Sequence, residues 1–187
     1  MWWCNDRRTL RGLVRVSIVI AMGALNAACF QPTYASRTFD GGPGVGTSLA
    51  QVSLERIDVP NGTPDARIAV EVQNALDFEL HGGSATSPTH RLKIKMTTNR
   101  SSIITDSTTG RVLAEITGID ATYTLIELAT GKTVLTSRTF SRVSSDYPGQ
   151  QQRFARVRAR IDAEDRAAKV LAENIRTRLA SYFISGS

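Results

Sequence analysis

Cysteine and histidine are both nearly absent: the 187-residue chain has two of each, Cys4 and Cys29, His81 and His90. At these spacings they match no zinc-ligand pattern, which argues against a metal centre. No G-x-S-x-G elbow and no nucleophile beside a base emerges, which argues against a hydrolase. No long apolar run is present either. The longest, Val16 to Leu25 (VSIVIAMGAL), falls well short of the roughly twenty residues that a membrane-spanning helix needs. Arg7, Arg8, Arg11 and Arg15 precede it, so the segment reads as an export signal. The net charge of +6 owes much to those arginines. Without residues 1–28 the chain keeps 19 Lys and Arg against 16 Asp and Glu, about +3. Nucleic-acid phosphates call for a more concentrated positive field than that.

Removal of the signal, expected over residues 1–28, discards Cys4 and leaves one thiol, at the junction "ALNAACFQPTY". A lone thiol in an oxidising compartment invites wrong pairing unless its sulfur is occupied, and covalent lipid on Cys29 is the economical occupant. Ala27 and Ala28 fit a bacterial lipobox, whereas Asn26 stands where its leucine would be. Ordinary cleavage after Ala35, following Thr33 and Tyr34, is the alternative. Residues 36–47 (SRTFDGGPGVGT) are rich in glycine and poor in apolar surface. With the cysteine they form an expected lipidated N-terminus and flexible tether over residues 29–47, ahead of a single domain over 48–187.

Within that domain, apolar residues favour alternate positions from Leu49 to Val59 and change parity at Glu55-Arg56, which predicts a strand with a bend or bulge there. Thr63 followed by Pro64 is a helix start. Ile68, Val72, Leu76 and Leu80 form one stripe on a helix that stops at His81-Gly82-Gly83. His90 to Thr98 alternates as a half-buried strand, one strand or two fill Arg111 to Leu128, and a turn at Ala129 to Lys132 leads to a return strand over Thr133 to about Ser144. Phe154, Val157, Ile161, Ala168, Leu171, Ile175, Leu179 and Tyr182 then mark a long helix ending near Phe183. The expected fold is α+β: a two-layer sandwich with two helices on one face of a mainly antiparallel sheet of about four strands.

Few constellations stand out. His81-Gly82-Gly83-Ser84 reads as a helix stop, and Gly41 to Gly46 lacks the spacing of a phosphate loop. Asp162, Glu164 and Asp165 share a helix with Arg158, Arg160, Arg166 and Lys169, so i,i+4 pairs such as Arg158 with Asp162 and Arg160 with Glu164 are expected. Arg153, Arg156, Arg158 and Arg160 crowd that helix's start, against its dipole, where an acidic partner would suit them. Arg91, Lys93 and Lys95 project to one side of their strand. There they form either a solvated sheet surface that resists edge pairing or a set of cations for the phosphates of an anionic lipid.

Taken in order, the export signal, "CFQPTY", "LERIDVPNGTPDARIAVEVQNALDFEL", "ATYTLIELATGKTVLTSRTF" and "DAEDRAAKVLAENIRTRLASYF" resemble the lipopolysaccharide-assembly lipoprotein family, LptE, in its alphaproteobacterial form. The resemblance implies a non-enzymatic outer-membrane lipoprotein without a cofactor, held on the periplasmic face by lipid (palmitate) at Cys29. It also implies a plug that helps assemble an LptD-type β-barrel and assists lipopolysaccharide transport to the outer leaflet. On that reading Arg91, Lys93 and Lys95, with Lys132 at the hairpin tip, contact the glycolipid. A lipid-anchored auxiliary subunit of an envelope transporter, or a regulator of a cell-wall synthase, is the alternative that shares signal, tether and domain.

Overall fold

The computed structural model describes residues 44–82, 86–147 and 153–185, which form three helices and four strands. The expected signal, Cys29, the tether before Gly44, and Gly83 and Ser84 lie outside the described residues. The elements are α1 (Val45–Ala50), β1 (Val52–Leu54), α2 (Pro64–His81), β2 (His90–Thr105), β3 (Val112–Glu127), β4 (Thr133–Asp146) and α3 (Arg153–Ser185). Strand order is β1-β2-β3-β4, with β1 parallel to β2 and the other neighbours antiparallel. A parallel pair needs a crossover, which α2 supplies. The α+β sandwich with a mainly antiparallel sheet is therefore as expected, with the short α1 added.

The first expected strand is corrected. Val45 to Thr47, read as tether, and Leu49, read as strand, belong to α1, where Leu49 is buried. β1 keeps only three residues. The Glu55 N–H still donates to the Leu92 carbonyl at 2.9 Å, after which the chain leaves the sheet. Ile57 is buried and Val59 packs at the core's edge, so the parity change marks the end of a strand, with no bulge inside one. The hairpin is longer than its alternation suggested. β2 pairs with β3 as far as Thr105 opposite Val112, although none of its residues beyond Ile94 is fully buried, because the ladder continues where apolar burial does not. β3 is one strand of 16 residues, and β4 runs two residues past Ser144.

Helix α2 starts and stops as its sequence dictates. The Thr63 hydroxyl accepts the Ala66 N–H, Pro64 occupies the first turn, and Gly82 closes the helix in the left-handed region (φ 52°), its N–H donating to the Phe78 carbonyl. Its stripe of Ile68, Val72, Leu76 and Leu80 is buried against Leu92, Ile94, Ile119, Ala121, Tyr123 and Leu125 of the sheet and Leu171, Ile175 and Leu179 of α3. Helix α3 spans 33 residues, about 50 Å at about 1.5 Å per residue. It runs parallel to α2: Arg67 pairs with Glu164 and Glu79 with Arg176, at the same sequence separation of 97. By that offset Pro64 lies level with Ile161, so the first two turns of α3 have no α2 beside them. This is why Phe154 (74% exposed) and Val157 (51%), both read from the sequence as part of the buried stripe, face solvent.

Charge ties the layers together. The Glu164 carboxylate, almost wholly buried, accepts from Arg67 of α2 and, at 2.7 Å, from Arg100 of β2. The expected Arg160–Glu164 pair is thus replaced, because Glu164 points inward. Arg160 lies 3.9 Å from Glu115, and Asp162 pairs with Arg166 at 2.8 Å in place of Arg158. At the β2–β3 turn Asp106 accepts the Thr108 N–H at 2.8 Å and also bonds Thr109, which holds its carboxyl below the usual carboxylate range. A depressed folded pKa contributes stability that is present above the usual carboxylate range and is lost as the pH falls through the lower, folded pKa.

Gly118 sits mid-sheet under crossing side chains. A Cβ there would meet Asn99 Oδ1 and would stand 3.0 Å from the Arg142 Cδ and Cζ atoms. Arg142 is pinned by Asp120 at 2.7 Å and by the Ser141 and Ile119 carbonyls at 2.8 and 3.2 Å, so it yields less easily than the exposed Asn99. We expect Gly118→Val to lower unfolding stability by about 1–3 kcal/mol in urea titration, and Arg142→Ala in the same chain to recover part of that loss. An unchanged midpoint for the single variant would contradict the packing account.

Candidate functional surface

The helices take one face of the sheet, and no element among the described residues covers the other. Side chains alternate along β2, so Leu92 and Ile94 enter the core while Arg91, Lys93 and Lys95 stand exposed on the bare face. Their cross-strand neighbours on β3 are Ile126, Thr124 and Thr122, and the next rung of β4 places Arg138 opposite Thr122 and Arg142 opposite Gly118. Lys95, Thr122 and Arg138 therefore form one rung across three strands. The structure brings the three expected cations together, with one qualification: Lys93 Nζ lies 3.1 Å from the Glu55 carboxylate and so begins as a pair. Lys132 is exposed in the β3–β4 turn, where its carbonyl accepts the Glu127 N–H at 2.9 Å. That turn adjoins the rung of Arg91, Ile126 and Thr133, so all four expected residues lie toward the same end of the sheet.

Arg138 and Arg142 were not picked out in the sequence, although the alternation in "SRTFSRV" carried the signal. Both flank Asp120, at 4.0 and 2.7 Å, and the Arg142 guanidinium stacks 5.3 Å from the exposed Phe140 ring. The face is thus a lattice of cations spaced by threonines, with Asp120 and Glu55 as its nearby acids. Multiple cations on a flat polar surface suit an anion with several charged oxygens, reached from solvent without burying any charge.

The arginines opening α3 are mostly engaged. The Arg156 guanidinium stacks on Tyr147 at 5.0 Å, Arg158 on Phe154 at 5.6 Å, and Arg160 approaches Glu115. The histidines serve the scaffold. His81 bridges Asp77 at 2.8 Å and the Val52 carbonyl at 2.9 Å beside a groove of about 380 Å³, and His90 packs edge-on against Phe183. Among the described residues no group of three or more His, Cys, Asp or Glu is placed to hold a metal ion, and no helix is long and apolar enough to cross a membrane.

Known structures share this architecture. A protein described as a lipoprotein from Caulobacter crescentus CB15 superposes with a TM-score of 0.60 at 19% identity, over 76% of this chain and 97% of that one. The minor lipoprotein of Acinetobacter baumannii (TM-score 0.51, 14% identity, 70% of this chain and 90% of that one) and the rare lipoprotein B of Shewanella oneidensis (0.51, 14%, 72% and 97%) are similar in fold. Among curated proteins none matches this chain in sequence. The family model for lipopolysaccharide assembly, LptE, matches residues 50–179, which run from α1 through every strand and into the last turns of α3. The chain belongs to the LptE lipopolysaccharide-assembly family.

Proposed function

We propose that the protein is a non-catalytic outer-membrane lipoprotein on the periplasmic face, anchored through Cys29, which plugs and helps assemble an LptD-type β-barrel and assists lipopolysaccharide delivery to the outer leaflet. The observation that carries the reading is the division of the sheet in a chain of this family: one face sealed by α2 and α3, the other bare and set with cations. In this account Arg91, Lys93, Lys95 and Lys132 meet glycolipid phosphates. Exposed cations of this kind cost little to desolvate and bind through several modest contacts, so their effect is cooperative and sensitive to salt. Acyl chains on Cys29 stabilise membrane residence by about 0.8 kcal/mol for each buried methylene, enough for a lasting anchor. The reading invokes no cofactor beyond that lipid.

Affinity purification of the tagged chain from solubilised outer membrane tests the partner: a β-barrel is expected, whereas an inner-membrane transporter complex or a cell-wall synthase would replace this reading with the auxiliary-subunit alternative. Glu at positions 91, 93, 95 and 132 together is expected to weaken lipopolysaccharide binding at least about tenfold in a direct assay, with unfolding stability retained. Equal binding would remove the assigned contact. The mature N-terminus is expected to carry lipid on Cys29 by mass spectrometry, and a free Ser36 would show cleavage after Ala35.

A further inference from the structure

Strand β4 is the last strand on one side of the sheet, and among the described residues no strand pairs with its outer edge. Its register with β3 runs without a shift from Leu135 to Asp146, and Thr133–Asp146 contains no proline, glycine or lysine. Edges are commonly protected by bulges, prolines or lysines; β4 has no proline or lysine, and its one register shift, at Val134, lies at its very start. The direction of its backbone groups is readable. The Phe140 and Ser144 carbonyls accept from Asn174 at 3.4 Å and Arg166 at 3.2 Å, both on α3, so they point away from β3, whereas the Ser141 carbonyl lies with that of Ile119 under Arg142. Even-numbered residues of β4 therefore direct their N–H and C=O groups outward and their side chains onto the bare face.

The edge has a helix beside it. Arg166 and Asn174 touch it from one side of α3, and Val170, four residues from each and 42% exposed, lies between them. An open strand edge next to a helix wall is the geometry in which extended peptides add to sheets. We propose that β4 takes an additional strand from a protein partner: an extended segment with acidic residues opposite Arg138 and Arg142, an apolar residue opposite Phe140, and small apolar residues turned toward Val170. Charge selects this occupant. Arg138 has a 74% exposed side chain and, among the described residues, an acidic neighbour no nearer than Asp120 at 4.0 Å, whereas a second copy paired antiparallel about Phe140 would set Arg138 against Arg142. Like charges directly opposed in a sheet are destabilising, so the edge disfavours its own copy in that register and favours an acidic strand. The inference does not require the glycolipid contact, which is assigned to Arg91, Lys93, Lys95 and Lys132 on the same face.

Amide hydrogen exchange on the full chain in detergent tests it, with the synthetic peptide Thr-Glu-Val-Tyr-Val-Glu-Thr as probe and its Lys-for-Glu counterpart as control. The acidic peptide is expected to slow exchange at the Thr136, Arg138, Phe140 and Arg142 amides at least about tenfold, and the lysine peptide is expected not to. Arg138→Glu, at an exposed side chain, is expected to reverse that preference with the fold intact. No protection at millimolar peptide, equal protection by both peptides, or protection confined to other elements would overturn the proposal. Edge amides already protected without peptide, together with a dimer in sedimentation, would assign the edge to a second copy instead.

Discussion

The carboxylate of Glu164 is the point on which the layers depend. It is supplied by α3, sits almost fully buried, and is shared by Arg67 from α2 and Arg100 from β2. Three elements far apart in sequence thus meet at one charge. A buried carboxylate is tolerable only with such partners, and a register that separated them would leave it unpaired. With α2 and α3 fixed parallel on one face, no element among the described residues covers the opposite face. The bare cationic surface follows from how the helices are held as much as from the sequence of β2.

The alanines of α3 reinforce the arrangement. Ala163, Ala167, Ala168, Ala172 and Ala180 are buried between larger side chains, which lets the helix lie close to both neighbours while Leu171, Ile175 and Leu179 fill the core. On the other face threonines on β3 and arginines on β4 give a strand-forming surface that needs no cover. Gly118 is the exception, left small so that Arg142 can fold across it to Asp120.

Much of this was legible in the sequence. Thr63-Pro64 and Gly82 bracketed α2 because capping is local chemistry, and the alternation of Arg91 to Met96 assigned each side chain its face because strand period is fixed. What failed was non-local. Leu49 looked like a strand residue, yet it is buried by a short helix. Phe154 and Val157 continued an apolar stripe, but α2 ends before reaching them. Glu164 looked like a surface residue with an i,i+4 partner, and only the tertiary fold brings Arg67 and Arg100, 97 and 64 residues away, to its side. The cations of β4 had a readable alternation, but their place beside those of β2 depends on strand order.

The shared carboxylate makes an asymmetric demand that chemical denaturation can measure. Arg67 and Arg100 are partly exposed, with side chains 37% and 27% accessible, so water can take them up when Glu164 is replaced by Gln. Replacing both arginines by Met instead strands a buried charge, and that double variant should lose about 3–5 kcal/mol. Adding Glu164→Gln to it should then restore part of the stability, because the unpartnered charge is gone. A triple variant no more stable than the double one would contradict the view that this carboxylate fixes the helices to the sheet.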